Sequence, residues 1–125
     1  MILILDAHAL LWWMTDSPQL SSAARQAIAA PANDILVSAA TIWELAIKRA
    51  SGKLPVPPDV PAAVERAGFG AIAITGADAE AAAALPTHHR DPFDRMIIAH
   101  ALRLEAVIVS RDRAFAAYQV HQLIA

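Results

Sequence analysis

Apolar residues fall in five short runs separated by longer stretches of helical period. Ile2–Leu5 (ILIL) is continuous and of strand length, and Ile35–Val37 is a second such run, bounded by Asn33-Asp34 and Ser38. Ala71–Thr75 (AIAIT) lies between two glycines, and Ala106–Val109 (AVIV) is the most β-branched of the set. Val120–Ile124 is a fifth, weaker run, interrupted by His121 and Gln122. Runs of this length bounded by turn residues predict buried strands. Helical patterns occupy the gaps: Ala7–Met14, Ser21–Ala30, Thr41–Ser51, Pro58–Ala67, Ala77–Leu85, Pro92–Glu105 and Arg113–Tyr118. Gly52 and Gly68 are stop signals, and Asp91 followed by Pro92 is a helix start. In Thr41–Ser51 the predicted apolar stripe is Ile42, Leu45, Ala46 and Arg49. In Pro92–Glu105 it is Phe93, Met96, Ile97, His100, Ala101 and Leu104. Buried strands alternating with helices predict an α/β fold with a mostly parallel sheet covered on both faces.

The chain has 125 residues, 57% hydrophobic and 18% charged. That length suits one domain over residues 1–125, long enough to enclose its own core. No internal repeat or linker is visible, and the irregular stretch Gly52–Pro61 reads as a loop between helices. Cysteine is absent, which excludes disulfide scaffolds, thiol catalysis and Cys-ligated zinc. No apolar run reaches the roughly 18 residues of a membrane span. The opening MILIL lacks the basic flank and length of a signal core. The expectation is a cytoplasmic protein with no membrane partner.

Net charge changes the picture. Ten basic against twelve acidic residues give −2, so a general nucleic-acid coat is excluded. A polyanion would have to meet a local basic patch or a bound cation. Eight of the twelve acids are Asp, so their positions matter. In an open α/β sheet, ligands sit at the carboxyl ends of the strands. Asp6 follows the first strand and Asp112 follows the fourth, after Ser110-Arg111. Glu44 lies early in the helix after the second strand, and Asp91 and Asp94 open the helix leading into the fourth. Each position also has a plain structural use. Asp6, Asp91 and Asp112 stand where helix N-caps belong, Glu44 and Lys48 are spaced for an ion pair, and Asp94 suits a first helical turn. If the acids converge, like charges about 4 Å apart repel by roughly 4 kcal/mol at an effective dielectric of 20. A divalent cation relieves that repulsion, and oxygen donors without cysteine suit Mg²⁺ or Mn²⁺.

Four stretches, ILDAHALLWW (4–13), SAATIWELAIKRASGKL (38–54), HRDPFDRMIIAHAL (89–102) and VSRDRAF (109–115), carry a resemblance. In this order the chain resembles PIN-domain ribonucleases, and among them the VapC-type toxins of toxin–antitoxin pairs. The resemblance implies a three-layer α/β/α domain with strand order 3-2-1-4-5. It implies that Asp6, Glu44, Asp94 and Asp112 are catalytic and hold Mg²⁺ or Mn²⁺, with Asp91 and Ser110 as supporting residues or further ligands. It implies an endoribonuclease that hydrolyses RNA phosphodiester bonds with no covalent nucleophile, a cognate antitoxin protein, and a homodimer. Lys48, Arg90, Arg95 and Arg111 are the candidates for gripping the RNA backbone. His88 and His89 add to a basic rim but do not pair on one ion, since adjacent residues rarely face a single site. One departure stands out: Ala7 occupies a position where members often carry Thr or Ser.

Two other classes compete. A phosphatase with an aspartyl nucleophile needs a second Asp two residues after the first, and that position holds His8. A non-catalytic PIN-like binding module is the alternative that Ala7 keeps open, against the presence of all four acids. Trp12, Trp13 and Trp43 are candidates for base stacking, for core or for a partner surface. His8 stands close enough to Asp6 to touch a substrate, and His100 is expected in the core or an interface.

Overall fold

A computed structural model describes residues 1–125. Five strands form one sheet: β1 (Ile2–Leu5), β2 (Asp34–Ser38), β3 (Gly70–Ile72), β4 (Val107–Val109) and β5 (His121–Leu123). Their order is β3-β2-β1-β4-β5, and every pairing is parallel. Parallel strands are what the apolar pattern predicts, and the order is the one the family resemblance implies. Six α-helices make the crossovers: α1 (Ala7–Met14), α2 (Ser22–Ala29), α3 (Ala39–Ala50), α4 (Val60–Arg66), α5 (Gly76–Ala84) and α6 (Pro92–Leu104). A short 3-10 turn covers Arg113–Ala117.

The period-2 alternation of strands sorts the core into two layers. Leu3, Leu5, Ile35, Val37 and Val109 face one side, packing against Leu10, Leu20, Ile28, Val60 and Val64 of α1, α2, α4 and their flanks. Ile4, Ile72 and Ile108 face the other, packing against Ile97, Ile98 and Ala101 of α6 and against Phe115 and Tyr118. Burying both faces explains why β1 reads as an unbroken apolar run, with Leu3, Ile4 and Leu5 fully enclosed. Each such side chain contributes roughly 1.5–3 kcal/mol of burial. No helix is long and apolar enough to cross a membrane.

Several expected boundaries shift for identifiable reasons. Ala71–Thr75 was expected to be extended throughout, yet β3 stops at Ile72. Thr75 and Asp78 form a reciprocal capping box that starts α5 and withdraws the preceding residues from the sheet. α3 begins directly at Ala39, because Ser38 ends β2 and caps the helix by accepting a bond from the Ala40 N–H at 3.0 Å. Its buried face is Ala40, Thr41, Glu44 and Leu45, while Arg49, expected on the apolar stripe, is exposed. In α6 six consecutive residues, Met96–Ala101, are buried, because the helix lies between the sheet and α5.

His100 is fully buried, and its Nε2 lies 3.1 Å from Asp78. Arg103 reaches the same carboxylate at 2.9 Å. Burial pushes the Asp78 carboxyl up, but bonds from Thr75 and Arg103 outweigh it and hold the group down at about 2. Burial pushes His100 down, against the pull of Asp78. A neutral imidazole is therefore locked between α5 and α6.

Candidate active site

Tertiary structure brings the acids together where β1 and β4 lie side by side. The chain turns away from this point towards β2 and β3 on one side and β5 on the other, so the helices that follow leave a crevice at the strand ends. Asp6 leaves β1 as the N-cap of α1. Its Oδ1 accepts from the Ala9 N–H at 2.9 Å. Its Oδ2 accepts from the Ser110 hydroxyl. Ser110 is fully buried at the end of β4, and its Oγ also accepts from the Asp112 N–H at 3.0 Å. One hydroxyl thus fixes the carboxylate after β1 relative to the turn after β4.

Asp112 caps the 3-10 turn through Oδ1, with the Ala114 N–H at 2.9 Å. Its other oxygen lies 3.2 Å from His89 Nε2, and the same nitrogen lies 2.9 Å from Asp94 Oδ2. His89 Nδ1 accepts from the Asp91 N–H at 3.3 Å. That bond leaves the proton on Nε2, directed at both carboxylates. Ligand atoms of His89, Asp94 and Asp112 lie within 4.8 Å of one another. Asp94 sits in the first turn of α6, and Asp91 caps that helix by accepting from the N–H groups of Phe93 at 2.8 Å and Asp94 at 3.4 Å. Asp91 therefore acts as the cap, with one oxygen turned to its own helix.

Glu44 reaches the centre from the buried face of α3. Its Oε2 pairs with Lys48 Nζ at 2.9 Å, and its Oε1 is buried without a partner. An orphaned buried carboxylate oxygen beside other acids suits a cation. Asp6 is held above the ordinary carboxyl range, first by burial and also by the charge of Glu44. Asp94 is pushed up to about 7 by burial, then by Asp91, Glu44 and Asp6, with His89 pulling the other way. Crowded hard oxygen donors fit a divalent ion of the Mg²⁺ or Mn²⁺ type, and the His89 Nε2–H partly neutralises two of them without it.

The pressure on Asp94 predicts a pH dependence. In the unfolded chain this carboxyl titrates at 3.8. The folded chain therefore holds the proton more tightly, and the stability that follows is present below about pH 4 and lost as pH rises towards 7. In EDTA, Asp94→Asn should become increasingly more stable than the parent between about pH 5 and about pH 8. A constant difference in melting temperature across that range would show that the carboxyl ionises normally.

The expected phosphate-gripping residues fare unevenly. Lys48 is held beside Glu44, and Arg90 is exposed on the loop before α6. Arg95 is a correction. Its two terminal nitrogens donate to the carbonyls of Ala82, Ala83, Leu85, Pro86 and His89, at 2.7–3.2 Å. The guanidinium closes the end of α5 and has no terminal donor left for RNA. Arg111 is likewise turned to main chain, with its Nη2 donating to the carbonyls of Gln19 and Ala125.

His89 is the residue that sequence reasoning underrated. The rule against adjacent histidines excludes His88 and His89 as a pair but not one of them alone. His88 stacks edge-on against Tyr118 at 5.3 Å, and His89 alone enters the centre. The signal available was a histidine two residues ahead of a helix cap in an acid-rich segment. The largest cavity, about 500 Å³, lies elsewhere, at the opposite ends of the strands near Ile2, Asp34 and Gly70, and shares none of these groups.

A parallel 3-2-1-4-5 sheet with carboxylates from β1, α3, α6 and the turn after β4 gathered at its switch point defines an α/β domain with an acidic centre. The chain belongs to the PIN domain family, whose model matches residues 3–120. It is 34% identical over 115 residues to the protein named Ribonuclease VapC22 of Mycobacterium tuberculosis, covering 88% of this chain and 86% of that one. Similar solved structures include VapBC2 from Rickettsia felis bound to a promoter DNA fragment (TM-score 0.67, 16% identity, 98% of both chains). A toxin–antitoxin complex from Klebsiella pneumoniae is similar at TM-score 0.65 and 20% identity, over 97% of this chain and 95% of that one. VapBC-1 from nontypeable Haemophilus influenzae also gives 0.65, at 19% identity over 98% and 97%. These likenesses show the fold.

Proposed function

We propose that the chain is a divalent-metal-dependent endoribonuclease acting in the cytoplasm as the toxin of a toxin–antitoxin pair. The observation that carries this reading is the gathering of four acids: Asp94 and Asp112 share His89, Asp6 and Glu44 press on Asp94 by charge, and one Glu44 oxygen is buried without a partner. The 34% identity to a protein named as a ribonuclease gives the reaction class.

Asp6, Glu44, Asp94 and Asp112 would hold Mg²⁺ or Mn²⁺. Such an ion supplies Lewis-acid stabilisation of phosphoryl charge and activation of water. The side chains around it position and neutralise. Ser110 orients Asp6, Lys48 fixes one oxygen of Glu44, and His89 holds Asp94 and Asp112 together through its Nε2 proton. Ser110 is excluded as a nucleophile, because it is fully buried and its proton is given to Asp6. Arg90 and Lys48 remain the cationic contacts for the RNA backbone.

Partners follow from the same reading. The similar complexes pair a toxin with an antitoxin, and an antitoxin that places a basic side chain among these carboxylates would neutralise them in the metal's place. Trp43 and Ile47 are exposed one turn apart on α3, an apolar pair that a homodimer would cover.

Purified protein should cleave a structured RNA mixture with Mg²⁺ or Mn²⁺, and EDTA and the identically prepared Asp6→Asn variant should each stop it. Equal cleavage by parent and variant would mark a contaminating nuclease. No cleavage by folded, antitoxin-free parent would favour the non-catalytic binding module.

A further inference from the structure

A second cleft, about 400 Å³, opens along α1, the helix that Asp6 caps, between it, the turn after it and the loop at Leu54-Pro55. Only three of its eight lining residues are hydrophobic, although its walls include two flat rings. His8 and Trp12, one turn apart on α1, lie 5.6 Å between ring centroids at an angle of 45°. The Arg111 guanidinium covers Trp12 at 4.5 Å from the ring centroid, and the same side chain binds the Gln19 carbonyl. Arg111 therefore immobilises two sides of the cleft. Thr15 and Gln19 bring polar groups to its edge.

The chain ties this cleft to the catalytic acids at two points. Asp6 faces the centre and His8, two residues on, faces the cleft. Asp112 joins the centre and Arg111, immediately before it, clamps Trp12. A nucleotide next to a phosphate at the acids would extend along α1 towards these rings, with Arg111 over one of them and Gln19 among the lining residues. Ring faces bind any base by stacking, and a side-chain amide on a base edge selects among bases. A docked protein helix would want a longer and more apolar groove.

Resting on the ribonuclease reading, we infer that the His8–Trp12 cleft is a nucleobase subsite for the nucleotide beside the scissile phosphate, with Gln19 reading the base edge and Arg111 as a positioning residue. Volume, flat aromatic walls, the guanidinium over Trp12 and attachment to the elements that carry Asp6 and Asp112 suit a single base of an RNA strand.

The test sequences the ends produced from a random single-stranded RNA pool by the parent, His8→Ala and Gln19→Ala. The parent should prefer particular bases at one position next to the cut. Gln19→Ala should flatten that preference by roughly five- to a hundredfold, and His8→Ala should raise the KM for the same pool. An unchanged base preference in Gln19→Ala and an unchanged KM in His8→Ala would overturn the inference. A second measurement separates its failure from that of the ribonuclease reading. With Trp13 and Trp43 replaced by Phe, Trp12 is the sole reporter, and nucleoside 5′-monophosphates should quench its fluorescence saturably whether or not RNA is cut. The quench should be lost in His8→Ala. No quench with any of the four nucleotides would overturn the subsite even in an active ribonuclease. So would variants that weaken antitoxin binding while leaving base preference and quench intact, which would assign the cleft to a protein.

Discussion

Replacing Asp94 by Asn should nearly abolish metal-dependent RNA cleavage and, without metal, raise the melting temperature of the same protein. Both effects have one cause. Asp94 shares His89 with Asp112, lies within the field of Asp6, Glu44 and Asp91, and is pushed up to about 7 by burial and those charges. Ionising it in the metal-free chain costs folding free energy, on the order of 4 kcal/mol at pH 8 for a carboxyl moved from 3.8 to about 7. Asparagine keeps the shape and an oxygen for the His89 Nε2 proton while removing the charge. That charge is what a divalent ion requires. Changes to groups that only orient a metal ligand cost about 10–100-fold, so losing the carboxylate itself should cost more than about a hundredfold in kcat/KM. The discriminating observation is the pair of curves. Thermal unfolding in EDTA should favour Asp94→Asn, and added Mn²⁺ should stabilise only the parent. An active variant, or one that is less stable in EDTA, would show that Asp94 is a structural acid of the first turn of α6 and nothing more.

The second large effect is on stability. Arg95→Ala should destabilise the fold by about 2–3 kcal/mol, because several carbonyls that are partly shielded from water lose a charged donor together. α5 ends at Ala84 and Leu85 turns to extended backbone, followed by Pro86, so the last carbonyls have no glycine-type cap. Arg95 replaces that cap with a planar fork. It bridges the end of α5, the segment Leu85–His89 and its own helix, and so holds the main chain that carries His89. Arg95→Lys should recover less than half of the loss, since an ammonium offers three donors in another geometry. Urea denaturation measures this directly as a lower midpoint at unchanged slope. A midpoint within error of the parent, with weakened RNA binding, would restore Arg95 to the substrate.

The comparison of these two residues marks where sequence reading succeeds. Asp94 and Arg95 are neighbours, and both looked functional in the string DPFDR. One helical step of about 100° separates their side chains, so one enters the acidic centre and the other turns to α5. Glu44 shows the same limit from the other side. Its spacing to Lys48 allowed a surface pair, and that pair exists, but α3 buries it and leaves one oxygen unpartnered.

Sequence alone determined the elements, the mostly parallel character of the sheet and the identity of the acids worth watching, while the strand order came from the family resemblance. Buried strands must be apolar throughout, helices must present a stripe, and caps must be short polar residues, so local chemistry writes those features directly into the chain. It also determined that no thiol or disulfide takes part. Tertiary structure alone decided which polar groups meet. His89 joins Asp94 and Asp112, Ser110 ties Asp6 to the β4 turn, Arg95 is consumed by main-chain carbonyls, and Arg111 is split between carbonyls and the Trp12 ring. The physical reason is that a side chain's partners across 20 or 100 residues depend on the packing of α6 against the sheet and on β1 pairing with β4. Neither packing nor pairing leaves a local trace at the residues it brings into contact.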